Sequence, residues 1–373
     1  MPTARRPKKR MRTPATAWEQ FAAMSRDVVG TRKRATATRS RTVRGAGARR
    51  AAPGEPVATG KALDLGRKQA AWVMAQRGEQ LAARARVVNA APRAKRGGPP
   101  PSGGATTRAA ATRAATAVRA GTSRGVLVAE GDSWFDYPFH DVLKRLDDAF
   151  GWEIEQVAHY GHTVESMAYD GGQLDDFVRA IEKVVRRGQT PHAVLLSGGG
   201  NDVAGEGFGM LVNHRSSPVH GLDPTVVEGI VETRVRIAYM TILSAVTAAC
   251  ESLVGAKVPI LLHAYDYPVA DGRGLLGGWG PLPGPWLQPG FAEKGYNDLA
   301  ERIALTKELI DRLYLMLGQV VALPAFAHVK LVNLRNALST DLRANRYKAW
   351  WGNELHPTRQ GFTKVAALFD AAL

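Results

Sequence analysis

The sequence predicts an α/β protein: a flavodoxin-like, doubly wound parallel sheet in a three-layer α/β/α arrangement, preceded by a basic and largely disordered N-terminal arm. From residue 125 onward, short apolar segments alternate with longer amphipathic ones, as in parallel strands connected by helices on both faces of a sheet. Residues 1–121 are instead rich in Ala, Arg, Thr, Gly and Pro and lack apolar periodicity. Such a segment buries too little surface to offset the entropy of ordering. We therefore place the arm at residues 1–121 and the folded domain at residues 122–373.

The net charge is distributed unevenly between these two parts. Residues 1–124 contain 28 Lys and Arg against 5 Asp and Glu, a net charge of +23. The remaining residues contain 22 basic and 29 acidic side chains, a net charge of −7. A solvated basic tail of this kind predicts nonspecific affinity for an anionic surface or for nucleic acid. The arm contains no zinc-finger, helix-turn-helix or RNA-recognition signature that would make such binding specific.

Two segments of the arm have helical patterns. Residues 16–29 place Trp18 and Phe21 near one face, and residues 64–88 place Met74 and Leu81 seven residues apart. The first interpretation is two marginal helices in a tail, because short helices without packing partners are unstable in water. The alternative is a docking or export segment.

The sequence shows no signal peptide and no apolar run that reads as a transmembrane segment. We therefore expect a cytoplasmic protein, with export by a non-general route as the open alternative. Cys250 is the only cysteine, so an internal disulfide and a cysteine-based metal site are both excluded. It lies in an apolar helical pattern, which predicts a buried small side chain.

The domain alternates strands and helices with no internal repeat. Apolar runs of strand length end at turn residues and are followed by runs with helical periodicity. The predicted strands are residues 125–131, 153–159, 192–200, 258–266 and 328–334. The predicted helices are residues 139–151, 174–188, 226–254, 296–321 and 359–373.

Three polar segments fall at the carboxyl edge of the predicted sheet. The first strand ends in "EGDSW", the third ends in "SGGGND", and "WWGNELHPTRQG" precedes the last helix. Functional groups of open α/β sheets gather at this edge. We therefore expect Ser133, Asn201 and His356 to converge there.

Ser133 and His356 have the residue types that acyl transfer requires. A serine hydroxyl becomes an effective nucleophile when a base removes its proton, and His356 is the best placed candidate base. The following Pro357 favours extended backbone at the histidine, which predicts a loop position before the last helix. The alternative for Ser133 is a turn or helix-capping serine.

Four ordered motifs resemble the SGNH (GDSL-like) hydrolase family: "GDSW" with Ser133, "HYGHT" with Gly161, "GGND" with Asn201 and "ELHP" with His356. The resemblance covers residues 125–373. It implies a metal-independent and cofactor-independent serine esterase or acyl hydrolase that works through an acyl-enzyme. It also implies an oxyanion hole formed by the Ser133 N–H, the Gly161 N–H and the Asn201 side-chain amide.

One motif departs from the family pattern. The usual carboxylate three residues before the histidine is replaced by Asn353, and Glu354 stands one residue closer. An asparagine oxygen can orient an imidazole but lacks the charge that stabilises imidazolium. We expect a Ser133–His356 dyad oriented by Asn353 or by a backbone carbonyl, with Glu354 as the remaining alternative.

Aromatic residues near these motifs are candidates for a substrate pocket. Trp134 and Tyr137 follow the serine, and Trp279 and Trp286 lie in a long Gly/Pro-rich segment that we expect to cover the site. Core-anchoring aromatics are the alternative. The expected substrate is a small-molecule, lipid or carbohydrate ester. The alternative function is a catalytically silent binding module that its basic arm anchors to an anionic partner; the oligomeric state is left open.

Overall fold

The structure is a computed structural model that describes residues 55–90, 123–170, 172–277 and 282–373. The chain divides into two compact units, Met1–Lys61 and Ala62–Leu373. The second unit contains the sheet and the candidate site. The predicted helix at residues 16–29 and most of the predicted arm lie outside the described residues.

The strands are β1 Val126–Glu130, β2 Glu153–Gln156, β3 Pro191–Leu196, β4 Val212–Asn213, β5 Gly221–Leu222, β6 Ile260–His263 and β7 Val329–Val332. Five of them run parallel and form the central sheet, in the order β2-β1-β3-β6-β7. When β6 and β7 are counted as the fourth and fifth strands of this sheet, the order is 2-1-3-4-5, as in flavodoxin-like folds. The predicted fold class is therefore confirmed. A short antiparallel pair, β4 and β5, lies apart from the central sheet.

Helices cover both faces of the sheet, as crossover connections between parallel strands require. They are α1 Glu55–Ala90, α2 Val142–Phe150, α3 Val164–Tyr169, α4 Gln173–Arg186, α5 Pro224–Val227, α6 Arg236–Val254, α7 Gln288–Glu293, α8 Leu299–Val321 and α9 Arg359–Ala372. A π-helical segment, Glu228–Val235, joins α5 to α6. The 3₁₀ segments are Phe208–Leu211, Leu275–Gly277, Pro324–Phe326 and Arg343–Ala349.

Local sequence explains where several of these helices begin. The Asp141 carboxylate accepts the Lys144 N–H at the start of α2, and the Thr358 hydroxyl accepts the Gly361 N–H at the start of α9. Each cap satisfies a backbone donor that has no partner inside the helix. The Thr358 cap matters for the site, because it fixes the chain two residues after His356.

The continuous helix Pro224–Val254 is long and apolar enough, by length and composition, to cross a membrane. Length and composition alone are weak evidence for a membrane span, because the buried core helix of a folded domain has the same properties. In the fold, 67% of the most apolar window is buried. Cys250 lies in this helix and is buried, as predicted.

The compact unit begins at Ala62, sixty residues before the boundary predicted from composition. Helix α1 includes the pattern at residues 64–88, and its buried residues Leu65 and Val73 face the body of the domain. Gly66 lies so close to α6 that a Cβ there would be 2.3 Å from the Thr241 carbonyl oxygen. The packing of α1 on α6 uses small residues, which carry a weak periodic signal.

Candidate active site

Ser133 lies in a tight turn directly after β1. The turn is closed by the backbone N–H groups of Phe135 and Asp136, which both donate to the Asp132 carbonyl at 3.0 Å. Gly131 permits this geometry, because a Cβ there would approach the Ser197 side chain to 2.8 Å. Ser133 is partly exposed while its neighbours Asp132 and Trp134 are buried. The turn therefore presents the serine hydroxyl at the carboxyl edge of the sheet.

His356 is hydrogen-bonded on both sides of its ring. Its Nε2 lies 2.7 Å from Ser133 Oγ, and its Nδ1 lies 3.0 Å from Asn353 Oδ1. The amide oxygen is an acceptor, so Nδ1 carries the proton and Nε2 is left as an acceptor for the serine hydroxyl. The structure thus brings together three of the predicted site residues in the order serine, histidine, asparagine.

Burial lowers the pKa of His356 to about 3. The side chain is only 4% exposed, and desolvation disfavours the charged imidazolium. Asn353 contributes a hydrogen bond but no charge. The imidazole is therefore neutral at physiological pH, the form that can accept a proton.

Tyr137 and Trp286 enclose the imidazole. The Tyr137 ring stacks on it with centroids 4.1 Å apart at 15°, and the Trp286 ring meets it edge-on at 5.3 Å. The Tyr137 hydroxyl also accepts a hydrogen bond from Asn353 Nδ2 at 2.8 Å. Both aromatic residues, selected from the sequence as pocket candidates, contact the histidine.

Glu354 faces away from the imidazole. Its buried carboxylate accepts four backbone N–H groups at 2.7–3.0 Å, from Gly272, Trp286, Leu287 and Gln288. The first three belong to the cover loop, residues 264–287, of which residues 278–281 are not described. Burial raises the Glu354 pKa, while these four bonds act in the opposite direction. Glu354 therefore fastens the cover loop beside His356, and Asn353 contacts the imidazole.

Asn201 and Gly161 lie on neighbouring loops. Asn201 Nδ2 donates to the His162 carbonyl at 2.9 Å, which ties the loop after β3 to the loop that carries Gly161. Gly161 has a φ of +83°, and a Cβ there would meet no protein atom within 4 Å. Backbone conformation, rather than crowding by the protein, therefore favours glycine at this position. Asp202 accepts the Val164 N–H at 2.9 Å at the start of α3.

A cavity opens beside the serine. Ser133, Asn201 and His356 line it, together with Trp134, whose indole N–H donates to the Leu355 carbonyl at 3.1 Å. Trp134 is 3% exposed and so both anchors the His356 loop and forms part of the cavity wall. Trp279, the fourth aromatic candidate, lies outside the described residues.

A buried polar network beneath the serine was not anticipated from the sequence. His263 Nε2 lies 2.9 Å from Ser197 Oγ, which donates to Asp132 Oδ1 at 2.7 Å. The Tyr265 hydroxyl donates to the other Asp132 oxygen and accepts the Gly200 N–H at 3.0 Å. This network joins the Ser133 turn to the loop before Asn201. Each partner looks like an ordinary residue at a strand end, so local sequence carries little signal for this network.

Comparison with known proteins gives distant structural matches. No family model and no curated protein matches the chain. A mutant acetyl-xylooligosaccharide esterase from Geobacillus stearothermophilus is 14% identical, with a TM-score of 0.35, over 66% of this chain and 93% of that one. An alpha/beta hydrolase from the metagenome of Lake Arreo is 15% identical, with a TM-score of 0.35, over 67% of this chain and 95% of that one. Similarity at this level carries no argument about activity, so the functional case depends on the geometry of the site.

Proposed function

We propose that this protein is a serine hydrolase that cleaves a carboxylic ester through an acyl-enzyme. One observation carries the proposal: Ser133 Oγ lies 2.7 Å from His356 Nε2, and the opposite ring nitrogen lies 3.0 Å from Asn353 Oδ1. A nucleophile, a base and a group that orients the base are the three parts that this chemistry needs. The order of the four sequence motifs that resemble SGNH hydrolases supports the same conclusion.

In the first half-reaction, Ser133 Oγ attacks the ester carbonyl carbon while His356 Nε2 takes the hydroxyl proton. The tetrahedral intermediate collapses by breaking the bond to the alcohol oxygen, and His356 returns the proton to the departing alcohol. In the second half, a water molecule gives its proton to His356 and attacks the acyl carbon. His356 then protonates Ser133 Oγ, which releases the carboxylic acid.

The oxyanion of each intermediate would be held by the Ser133 N–H, the Gly161 N–H and the Asn201 amide. Asn201 uses one amide hydrogen to bind the His162 carbonyl, which fixes the amide plane and leaves the second hydrogen for the substrate. Removing one such donor costs roughly 3 kcal/mol of transition-state stabilisation. Asn201→Ala should therefore lower turnover by about two orders of magnitude.

The nucleophile can be tested directly with a fluorophosphonate probe. We expect the probe to label the full-length protein, and Ser133→Ala to abolish both labelling and turnover of p-nitrophenyl acetate. Ser216→Ala, a change at an exposed serine, is the matched control and should retain both. Labelling that persists in Ser133→Ala would overturn the assignment. A wild-type protein that neither reacts with the probe nor hydrolyses the ester would favour the binding-module alternative.

A further inference from the structure

Apart from Ser133, Asn201 and His356, the cavity beside Ser133 is lined mainly by apolar side chains that have no role in the proposed bond cleavage. We propose that it is an acyl-binding pocket that selects short, unsubstituted aliphatic acyl groups of about two to four carbons. This inference rests on the proposed ester hydrolysis and names the class of substrate for that same site. It concerns the acid half of the ester and not the alcohol.

The cavity walls are mainly apolar, and five of the apolar side chains come from three separate parts of the chain. Val203 and Ala204 lie in the loop after β3, Leu287 ends the cover loop, and Leu309 and Ile310 lie on α8. The last three side chains are 3%, 4% and 7% exposed. An aliphatic acyl chain placed here would exchange water for an apolar surface, which favours binding.

The polar side chains in the wall are already hydrogen-bonded to the protein. Asp266 accepts the N–H groups of Tyr267, Asn336 and Leu338, and the Thr306 hydroxyl donates to the Arg302 carbonyl at 3.0 Å. A hydrogen-bond acceptor or a negative charge on the acyl chain would therefore lose its water and gain no donor from these two side chains. Such a loss costs on the order of 1–3 kcal/mol or more.

The size of the cavity limits the length of the chain. Its volume is about 50 Å³. This is far below the roughly 300–1,000 Å³ of pockets that enclose drug-sized ligands, so the cavity suits a short acyl chain. The wall at Leu287 is held in place, because the Leu287 N–H donates to the buried Glu354 carboxylate at 2.8 Å. Longer chains would have to displace packed side chains.

The first experiment measures kcat/KM of the full-length protein on p-nitrophenyl esters from acetate to decanoate. We expect the highest values between acetate and butanoate and a fall of at least about tenfold at octanoate, the scale of discrimination that one or two methylenes give in an apolar pocket. A maximum at octanoate or decanoate would overturn the inference while leaving ester hydrolysis intact. No turnover of any ester would overturn the proposed function and the inference with it.

The second experiment changes the pocket in opposite directions. Ile310→Ala should enlarge it and raise the ratio of octanoate to acetate turnover about tenfold, whereas Ala204→Val should narrow it and lower the ratio of butanoate to acetate turnover. Leu315→Ala, a change at a residue 62% exposed on the same helix, is the control and should leave both ratios unchanged. Because Ala204→Val removes no core contact, it keeps the test valid if Ile310→Ala fails to fold. Selectivity that is unchanged in the folded pocket variants would overturn the inference.

Discussion

The Tyr137 hydroxyl lies 2.8 Å from the side-chain nitrogen of Asn353, and it fixes which way that amide points. The amide nitrogen donates to the phenol oxygen, so the amide oxygen faces the imidazole 3.0 Å away. The backbone N–H groups of Leu355 and His356 donate to the same oxygen at 3.0 and 2.8 Å. The Tyr137 hydroxyl on the amide nitrogen and the two backbone N–H groups on the amide oxygen fix the orientation of the Asn353 side chain. An uncharged residue can therefore hold the imidazole in place.

Tyr137→Phe should lower kcat/KM by up to about tenfold. The variant keeps the ring stacked on His356 and loses one hydrogen bond, which contributes about 1 kcal/mol. Tyr137→Leu loses the stacked ring as well and should cost more. The comparison is made on p-nitrophenyl acetate, with Tyr314→Phe on α8 as the control. Equal activity in wild type, Tyr137→Phe and Tyr137→Leu would exclude a positioning role.

Asn353→Ala should lower turnover by less than about 10⁴-fold, the cost of losing the aspartate in a Ser-His-Asp enzyme. The smaller effect follows because Asn353 supplies orientation but no charge. Asn353→Asp should raise turnover, since a carboxylate would stabilise the imidazolium that forms during attack. Single-turnover measurements that separate acylation from product release are the direct readout. Turnover of Asn353→Ala equal to the wild type would remove this residue from the mechanism.

The pH dependence gives an independent test of the same contact. Burial lowers the pKa of His356 to about 3, so the neutral, proton-accepting form persists as the pH falls from 7 to about 4. The wild-type kcat/KM should therefore lack an inflection near 6.5, the ordinary value for histidine. In Asn353→Asp the new negative charge favours imidazolium and raises this pKa, so the acid limb should move toward neutral pH. A wild-type acid limb near pH 6.5 would contradict the buried, neutral histidine.

Glu354→Gln should loosen the cover loop without breaking the Ser133–His356 contact. A glutamine side chain retains one acceptor oxygen, so two or more of the four backbone N–H groups would lose their partner, at about 1–3 kcal/mol each. We expect faster hydrogen exchange at the amides of Gly272 and Leu287 and a lower melting temperature. Fluorophosphonate labelling of Ser133 should persist. Glu206→Gln, at an exposed position, is the control; unchanged exchange at the loop amides would refute the fastening role.

Gly66→Ala should destabilise the domain, and Gly78→Ala on the same helix should not. A Cβ at position 66 would lie 2.3 Å from the Thr241 carbonyl oxygen and 2.8 Å from Ser244 Cβ, so α1 must move away from α6. A Cβ at position 78 would meet no atom within 4 Å, and alanine there should add about 1 kcal/mol of helix stability. Thermal unfolding of both variants measures the difference. Equal melting temperatures would mean that α1 does not pack closely on the domain.

The sequence alone was sufficient to predict the central sheet and to select Ser133, Asn201 and His356 as candidate site residues. The five strands follow from short apolar runs. Ser133 and Asn201 follow from polar motifs after β1 and β3, because parallel strands place their carboxyl ends along one edge. His356 follows from the motif before the last helix. The periodicity of residues 64–88 also predicted a helix. The sequence did not predict the docking of α1 on the domain. Gly66 packs against Thr241 on α6, 175 residues later in the chain, and a glycine contributes no apolar signal.

Only the tertiary structure decided how the site is completed. Asn353 and Glu354 are adjacent and point to different sides, and which of them meets the imidazole depends on where the cover loop lies. Likewise, Ile310 reads as an ordinary core residue of a helix until the fold places it against the cavity of Ser133. The physical reason is that backbone preferences and apolar periodicity act over a few residues. Hydrogen bonds and packing across the sheet edge join residues that are one or two hundred positions apart. Local sequence patterns therefore do not predict these contacts.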